Sequence, residues 1–119
     1  MTVSLVNRFG RYLMADSSGR ELATEIRATL ARGEDVSVDF AGVTSVITAF
    51  LNPAFGELYE NADADEIDRR VTALGLSTVQ EASLCAVREH ARRYYGDPAY
   101  RRALDAALDA ALEATLAEF

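Results

Sequence analysis

The chain has 119 residues, 50% of them hydrophobic, with a formal net charge of −7 and a pI near 4.6. That length corresponds to one domain with room for a real core. The acidic balance argues against nucleic-acid binding through a basic surface, and no apolar run nears the roughly 20 residues that a membrane span needs.

All 12 basic residues are arginine, which together with abundant Ala and Asp is the usage of a GC-rich bacterial genome. Cys85 is the only cysteine, so no internal disulfide forms, and this fits a reducing cytoplasm. The N-terminus lacks a charged region ahead of a long apolar run, the sign of a secretory leader. The expectation is a soluble cytoplasmic protein.

Taken in order, Thr2–Asn7 reads as a short strand, with Val3 and Leu5 on one face. Arg8–Arg11 reads as a turn, and Tyr12–Met14 as a second extended piece completing a hairpin. Ser18 with Glu21 fits a capping box ahead of a helix whose buried stripe is Leu22, Ala23, Ile26 and Leu30. Gly33 ends that helix.

Val36, Val38 and Phe40 then alternate with Ser37 and Asp39, the period of a strand. Gly42 makes the following turn, and the β-branched Val46 and Ile47 form a second short extended piece. Phe50, Leu51, Ala54, Phe55, Leu58 and Tyr59 recur at helical spacing. Asn52 as N-cap and Pro53 at the first helical position would start that helix, with an irregular or 3₁₀ turn over Thr48–Leu51.

Asn61–Glu66 reads as an exposed acidic connection without the spacing or glycine of a calcium loop. Arg69–Leu74 reads as a fourth strand broken by Gly75. Ser77 with Gln80 is a second capping box, opening a helix from Thr78 to about Tyr95. Asp97 and Pro98 open the last helix, in which Leu104, Leu108, Leu112 and Leu116 recur every four residues. Four-residue spacing drifts around a helix, so this is no heptad seam. Packing on the domain is the first expectation for its apolar side, and self-association through Leu104, Leu108 and Leu112 as a homodimer is the second.

The stretch from Val36 to Tyr59 resembles the core of STAS domains, and more closely a divergent STAS-like family of small bacterial proteins. The residues that carry the resemblance are Val38-Asp39-Phe40, Gly42-Val43, Thr48 to Asn52, Ala54-Phe55-Gly56 and Leu58-Tyr59. It extends more weakly from Ser18-Gly19-Arg20 to about Tyr95. STAS domains are regulatory binding modules, best known in anti-sigma-factor antagonists. The resemblance therefore implies a non-enzymatic protein-interaction module whose partner is a histidine-kinase-type ATPase or switch protein.

The phosphorylation motif of those antagonists, Asp-Ser-Ser-Gly, does occur here as Asp16–Gly19, but before the first long helix, where a helix cap explains it. Where the family carries the motif, this chain has Ile47-Thr48-Ala49-Phe50. The acceptor serine corresponds to Ala49, the glycine to Phe50, and Thr48 is the adjacent hydroxyl left as a phospho-acceptor, unless it serves to cap the helix.

Reaction machinery is hard to assemble. His90, the single histidine, reads as a solvent residue among Glu89, Arg92 and Arg93. Cys85 and His90 are badly spaced to share a helix face. No zinc-ligand cluster, phosphate-binding loop or dinucleotide fingerprint is present. Asp39 lacks an identifiable base and reads as a cap for the turn after its strand. Arg92–Tyr95 with Tyr100–Arg102 form a basic-aromatic patch at the last interhelical turn.

The fold expected is α/β: a single STAS-like domain over 1–119, with a core at 1–76 built on a small mixed four-stranded sheet, and a C-terminal helical pair over 77–119. The expected docking surface is the start of the Thr48 helix and the loop before it, comprising Asp39, Ser45, Thr48, Ala49 and Asn52. No metal, cofactor, nucleic acid or membrane is expected. The alternative function is a self-associating structural component of a defence or stress operon, assembled through the last helix.

Overall fold

A computed structural model describes residues 1–117. Its elements are β1 (Thr2–Ser4), α1 (Leu5–Phe9), β2 (Tyr12–Leu13), α2 (Asp16–Ala31), β3 (Val36–Asp39), β4 (Ser45–Val46), α3 (Thr48–Phe55), a 3₁₀ turn (Gly56–Tyr59), α4 (Ala64–Arg70), β5 (Val71–Leu74), α5 (Thr78–Gly96) and α6 (Pro98–Ala117). The α/β class stands, with C-terminal helices following the sheet.

The sheet differs from the expected one. Three strands form a parallel sheet in the order β1-β3-β5, and β2 and β4 form a separate two-stranded parallel pair. The expected hairpin fails at Ser4. Its side chain accepts a bond from the Asn7 N–H at 3.4 Å, and the chain turns into α1 at Leu5 instead of continuing as a strand to Asn7. With β1 cut short, Tyr12 and Leu13 pair with Ser45 and Val46 instead.

β3 is the centre of the larger sheet, and its alternation reads directly as structure. Val36 and Val38 are buried while Ser37 and Asp39 are half-buried. Phe40 follows, fully buried, and stacks on Phe55 of α3 with ring centroids 6.1 Å apart. Phe50 meets Phe9 edge-on at 6.0 Å. These rings join the sheet, α1 and α3 into one core with Leu22 and Ile26 of α2.

Helix starts depart from the expected caps at two places. α2 begins at Asp16 rather than after Ser18, with Ala15 as N-cap and no side-chain capping bond, so the Ser18–Glu21 box is not used. α3 begins at Thr48 with Ile47 as N-cap and runs as α-helix through Pro53 to Phe55; the 3₁₀ turn lies after it. Asn52 and Thr48 therefore cap nothing. Pro53 is buried, and burial of its ring offsets part of the cost of the backbone bond that an interior proline forfeits. The acidic stretch is also more ordered than an open loop: Asp63 caps α4 through the N–H groups of Asp65 and Glu66, and α4 takes Arg69 and Arg70 from the expected strand.

The second capping box forms as expected. Ser77 Oγ accepts from the Gln80 N–H at 3.1 Å, and Gln80 Oε1 accepts from the Ser77 N–H at 3.0 Å. Gln80 Nε2 also donates to the Val43 carbonyl at 3.0 Å, tying the start of α5 to the turn after β3. Leu84, Val87 and Ala91 carry α5 into the core.

A polar clasp joins α5 to the 3₁₀ turn, α4 and β5. The Tyr59 hydroxyl donates to Asp68 and accepts from Arg88 Nε at 2.8 Å; Arg88 also donates to the Val71 carbonyl at 2.9 Å. Arg92 reaches Asp68 and Asp65 from the next turn of α5. Burial, with the bond to Asp68, pushes the Tyr59 phenol up to about 12, against the opposing pull of Arg88.

α6 leaves the domain. Asp97 caps it through the Ala99 and Tyr100 N–H groups, as the sequence suggests. Among the described residues, its first turns touch α5: Tyr94 donates to Asp105 at 2.9 Å, and Arg101 lies over the Tyr94 ring at 5.0 Å. Leu104 is half-buried, but Leu108, Leu112 and Leu116 are 60%, 58% and 63% exposed. The expected packing of that stripe on the domain does not occur beyond Leu104, because α5 does not extend alongside it.

Candidate functional site

The start of α3 is the exposed end of an otherwise buried helix. Phe50, Leu51, Pro53, Ala54 and Phe55 face inward, which fixes the opposite side outward. Ile47, Thr48, Ala49 and Asn52 are consequently exposed at the β4–α3 junction. Phe50 and Leu51 N–H groups close on the Ile47 carbonyl at 3.0 and 3.1 Å, so the junction is a tight, ordered turn.

α5 runs beside this surface. Between the two helices lies an open cleft of about 340 Å³, lined by Thr48, Asn52, Ser83, Ala86, Val87 and His90. A second depression continues it past Asn52 and His90 to Glu57, Tyr94 and Tyr95. The junction and the cleft together make one surface: hydroxyl and amide groups at one end, aromatic rings at the other. His90 stacks on Tyr94 with centroids 6.0 Å apart, and its Nδ1 lies 3.4 Å from the Tyr100 hydroxyl.

The five residues expected at a docking surface do not all gather here. Thr48, Ala49 and Asn52 share the junction. Ser45 is half-buried in β4, opposite Tyr12. Asp39 serves the turn after β3: its Oδ1 accepts from the Ala41 N–H at 2.9 Å. Gly75 closes over that turn at φ +68°, and a Cβ there would stand 2.8 Å from both Ala41 N and Asp39 Oδ1. The lining of the Thr48 cleft includes neither Asp39 nor an arginine.

Ser83 and His90 are the residues that sequence reasoning missed. The signal was available, since Ser83, Ala86, His90 and Tyr94 are spaced by three and four residues and form one stripe on α5. What the sequence withheld was that this stripe faces α3. Among the described residues no group of three or more His, Cys, Asp or Glu comes together as a metal site, and no helix is long and apolar enough to cross a membrane.

No curated protein matches the chain, and no solved structure does. A family profile does, over residues 18–81: the STAS-like domain of unknown function (DUF4325). The matched stretch runs from the start of α2 to the first turn of α5, so it contains β3, the Thr48 junction and β5, and covers more than half of the chain. With β3 at the centre of a parallel sheet and α3 emerging from the β4 turn, the chain belongs to the STAS-like domain family.

Proposed function

We propose that the protein is a non-enzymatic regulatory module that binds a protein partner through the β4–α3 junction and the adjoining α3–α5 cleft. The observation that carries this reading is the outward face of α3. Thr48, Ala49 and Asn52 stand exposed on a helix whose other side is locked in the core, beside a cleft open to solvent. A rigid element presenting small polar residues next to an aromatic-lined groove suits recognition of a protein surface.

The partner in this reading is a histidine-kinase-type ATPase or switch protein, the class with which STAS domains are associated, and binding takes place in the cytoplasm. Thr48 is the control point. Its hydroxyl is exposed on the first residue of α3, where a phosphoryl group would add charge and bulk at the centre of the contact.

The test is a calorimetric titration of such an ATPase from the same genome against the wild-type protein and the Thr48→Arg and Asn52→Arg variants. Both positions are exposed, so the variants should fold normally. Affinity is expected to fall at least roughly tenfold for each, about 1.4 kcal/mol. Equal affinity for all three proteins would remove this surface from consideration. Incubation with the ATPase and ATP, followed by mass spectrometry, is expected to place any phosphate on Thr48.

A further inference from the structure

We propose that the depression at the aromatic end of the α3–α5 cleft receives an arginine side chain of the protein partner, held by the Tyr94 and Tyr95 rings and the Glu57 carboxylate. This rests on the reading of the cleft as a partner surface and names the chemistry of one contact within it.

The depression has a volume of about 180 Å³, room for one side-chain head group. Asn52, Gly56 and Glu57 line it from α3 and the 3₁₀ turn, and His90, Tyr94 and Tyr95 from α5. The Tyr94 and Tyr95 rings stand at 89° to each other with centroids 5.0 Å apart. Rings of this kind attract cations through their electron-rich faces, and here they already do so. Arg101 Cζ lies 5.0 Å from the Tyr94 centroid and 5.6 Å from the Tyr95 centroid. Arg101 does not line the depression, so the two rings meet that space apart from its guanidinium.

Charge selects the occupant. Neither Glu57 nor Glu60 forms a salt bridge among the described residues. The nearby cations are otherwise engaged. Arg27 donates to the Glu57 backbone carbonyl at 2.9 Å, Arg92 is held by Asp65 and Asp68, and Arg93 lies over the Tyr100 ring at 4.1 Å. The local balance is visible at Tyr95. Burial pushes its phenol up, Glu60 and Glu57 push it further, and the opposing pull of Arg101 is weaker. A second cation is therefore drawn to this rim. The formal charge of −7 steers a basic surface towards the chain from further away.

The shape of the lining favours arginine over lysine. A planar guanidinium stacks on a tyrosine ring while its edge donates to a carboxylate and an amide oxygen together. Glu57 and Asn52 supply those two acceptors beside the rings. An ammonium is a compact, strongly hydrated charge without a face to stack.

Two-dimensional NMR of the full chain, titrated with N-acetyl-arginine amide, tests the proposal. N-acetyl-citrulline amide is the probe of the same shape without the charge. The arginine probe is expected to shift the amides of Asn52, Gly56, Glu57 and Tyr95, and the citrulline probe to shift them at least roughly threefold less. Glu57→Gln is expected to weaken the arginine response roughly threefold. Tyr95→Phe should keep the response, because the ring remains, and Tyr95→Leu should lose it. The spectrum of each variant reports whether it folds; were Tyr95→Leu unfolded, Glu57→Gln alone would decide. No shift with arginine, equal shifts with both probes, or a response indifferent to the variants would overturn the proposal. Glu57→Gln is also expected to weaken ATPase binding roughly threefold in the calorimetric titration. Full affinity there, with the Thr48→Arg loss retained, would overturn the partner as the source of the arginine and leave the partner surface itself intact.

Discussion

Gly19 shows how one residue can be misread from its neighbours. In sequence it completes Asp16-Ser17-Ser18-Gly19, which looks like a helix cap. In the fold it is the point where α2 touches α3: a Cβ there would stand 2.4 Å from the Phe50 carbonyl oxygen and 2.8 Å from Pro53 Cγ. The carbonyl belongs to the backbone and cannot move aside cheaply. Gly19→Ala should therefore cost about 3 kcal/mol, seen as a fall in melting temperature of roughly 10 °C. Tyr59 supports a second prediction. Its phenol is held at about 12, above the ordinary value of 10.0. Below pH 10 both folded and unfolded states keep the proton and stability is undisturbed. Above it the unfolded chain ionises first and binds fewer protons than the native state, so stability falls with rising pH until about 12. Urea titrations across that window should show a steeper loss for the wild type than for Tyr59→Phe. At neutral pH the same variant should be less stable by about 1–2 kcal/mol, through the bonds lost to Asp68 and Arg88. Neither role was legible in the sequence, because the close approach of Gly19 depends on Phe50 and Pro53, and the partners of Tyr59 are Asp68, 9 positions away, and Arg88, 29 away. Thr48 and Asn52 were legible as exposed for the opposite reason: helical spacing alone assigns Phe50, Ala54 and Phe55 inward.

Local capping chemistry was legible at two helix starts, although the equally local Ser18–Glu21 box is not used and the Ser4 cap was not foreseen. The Ser77–Gln80 box and the Asp97–Pro98 start both appear as local pattern dictates. β3 is equally plain, since its alternation needs no partner to be seen. Other failures occur where distant packing decides. Pro53 belongs inside α3 because the core holds its ring, and the short β1 gives way to α1 because Ser4 caps a helix that leads Leu5 inward. Strand pairing failed for the same reason: nothing near Tyr12 announces Ser45 as its neighbour. Gln80 combines both kinds of bond. Its Oε1 closes the local box, while its Nε2 holds the Val43 carbonyl 37 residues away. Gln80→Ala should thus cost more than a simple cap, about 2 kcal/mol, whereas Ser77→Ala should cost about 1 kcal/mol. Equal losses in chemical denaturation would mean that the Val43 bond contributes nothing.

The chain divides energetically between a packed body and a projecting helix. α5 belongs to the body, since Leu84, Val87 and Ala91 are buried and Arg88 clasps Tyr59 and Val71. α6 contributes a few contacts at its base: Tyr100 near His90, Asp105 with Tyr94, Arg101 over the tyrosine rings. These are partly exposed polar and cation–π contacts, each worth about 0.5–1 kcal/mol. A chain ending at Asp97 should accordingly keep a cooperative melt, with its midpoint lowered by only a few degrees, because none of the described residues of α6 enters the buried cluster. The same truncated chain should still bind through Thr48 and Asn52. Loss of the cooperative transition would show that α6 is needed for the body to fold.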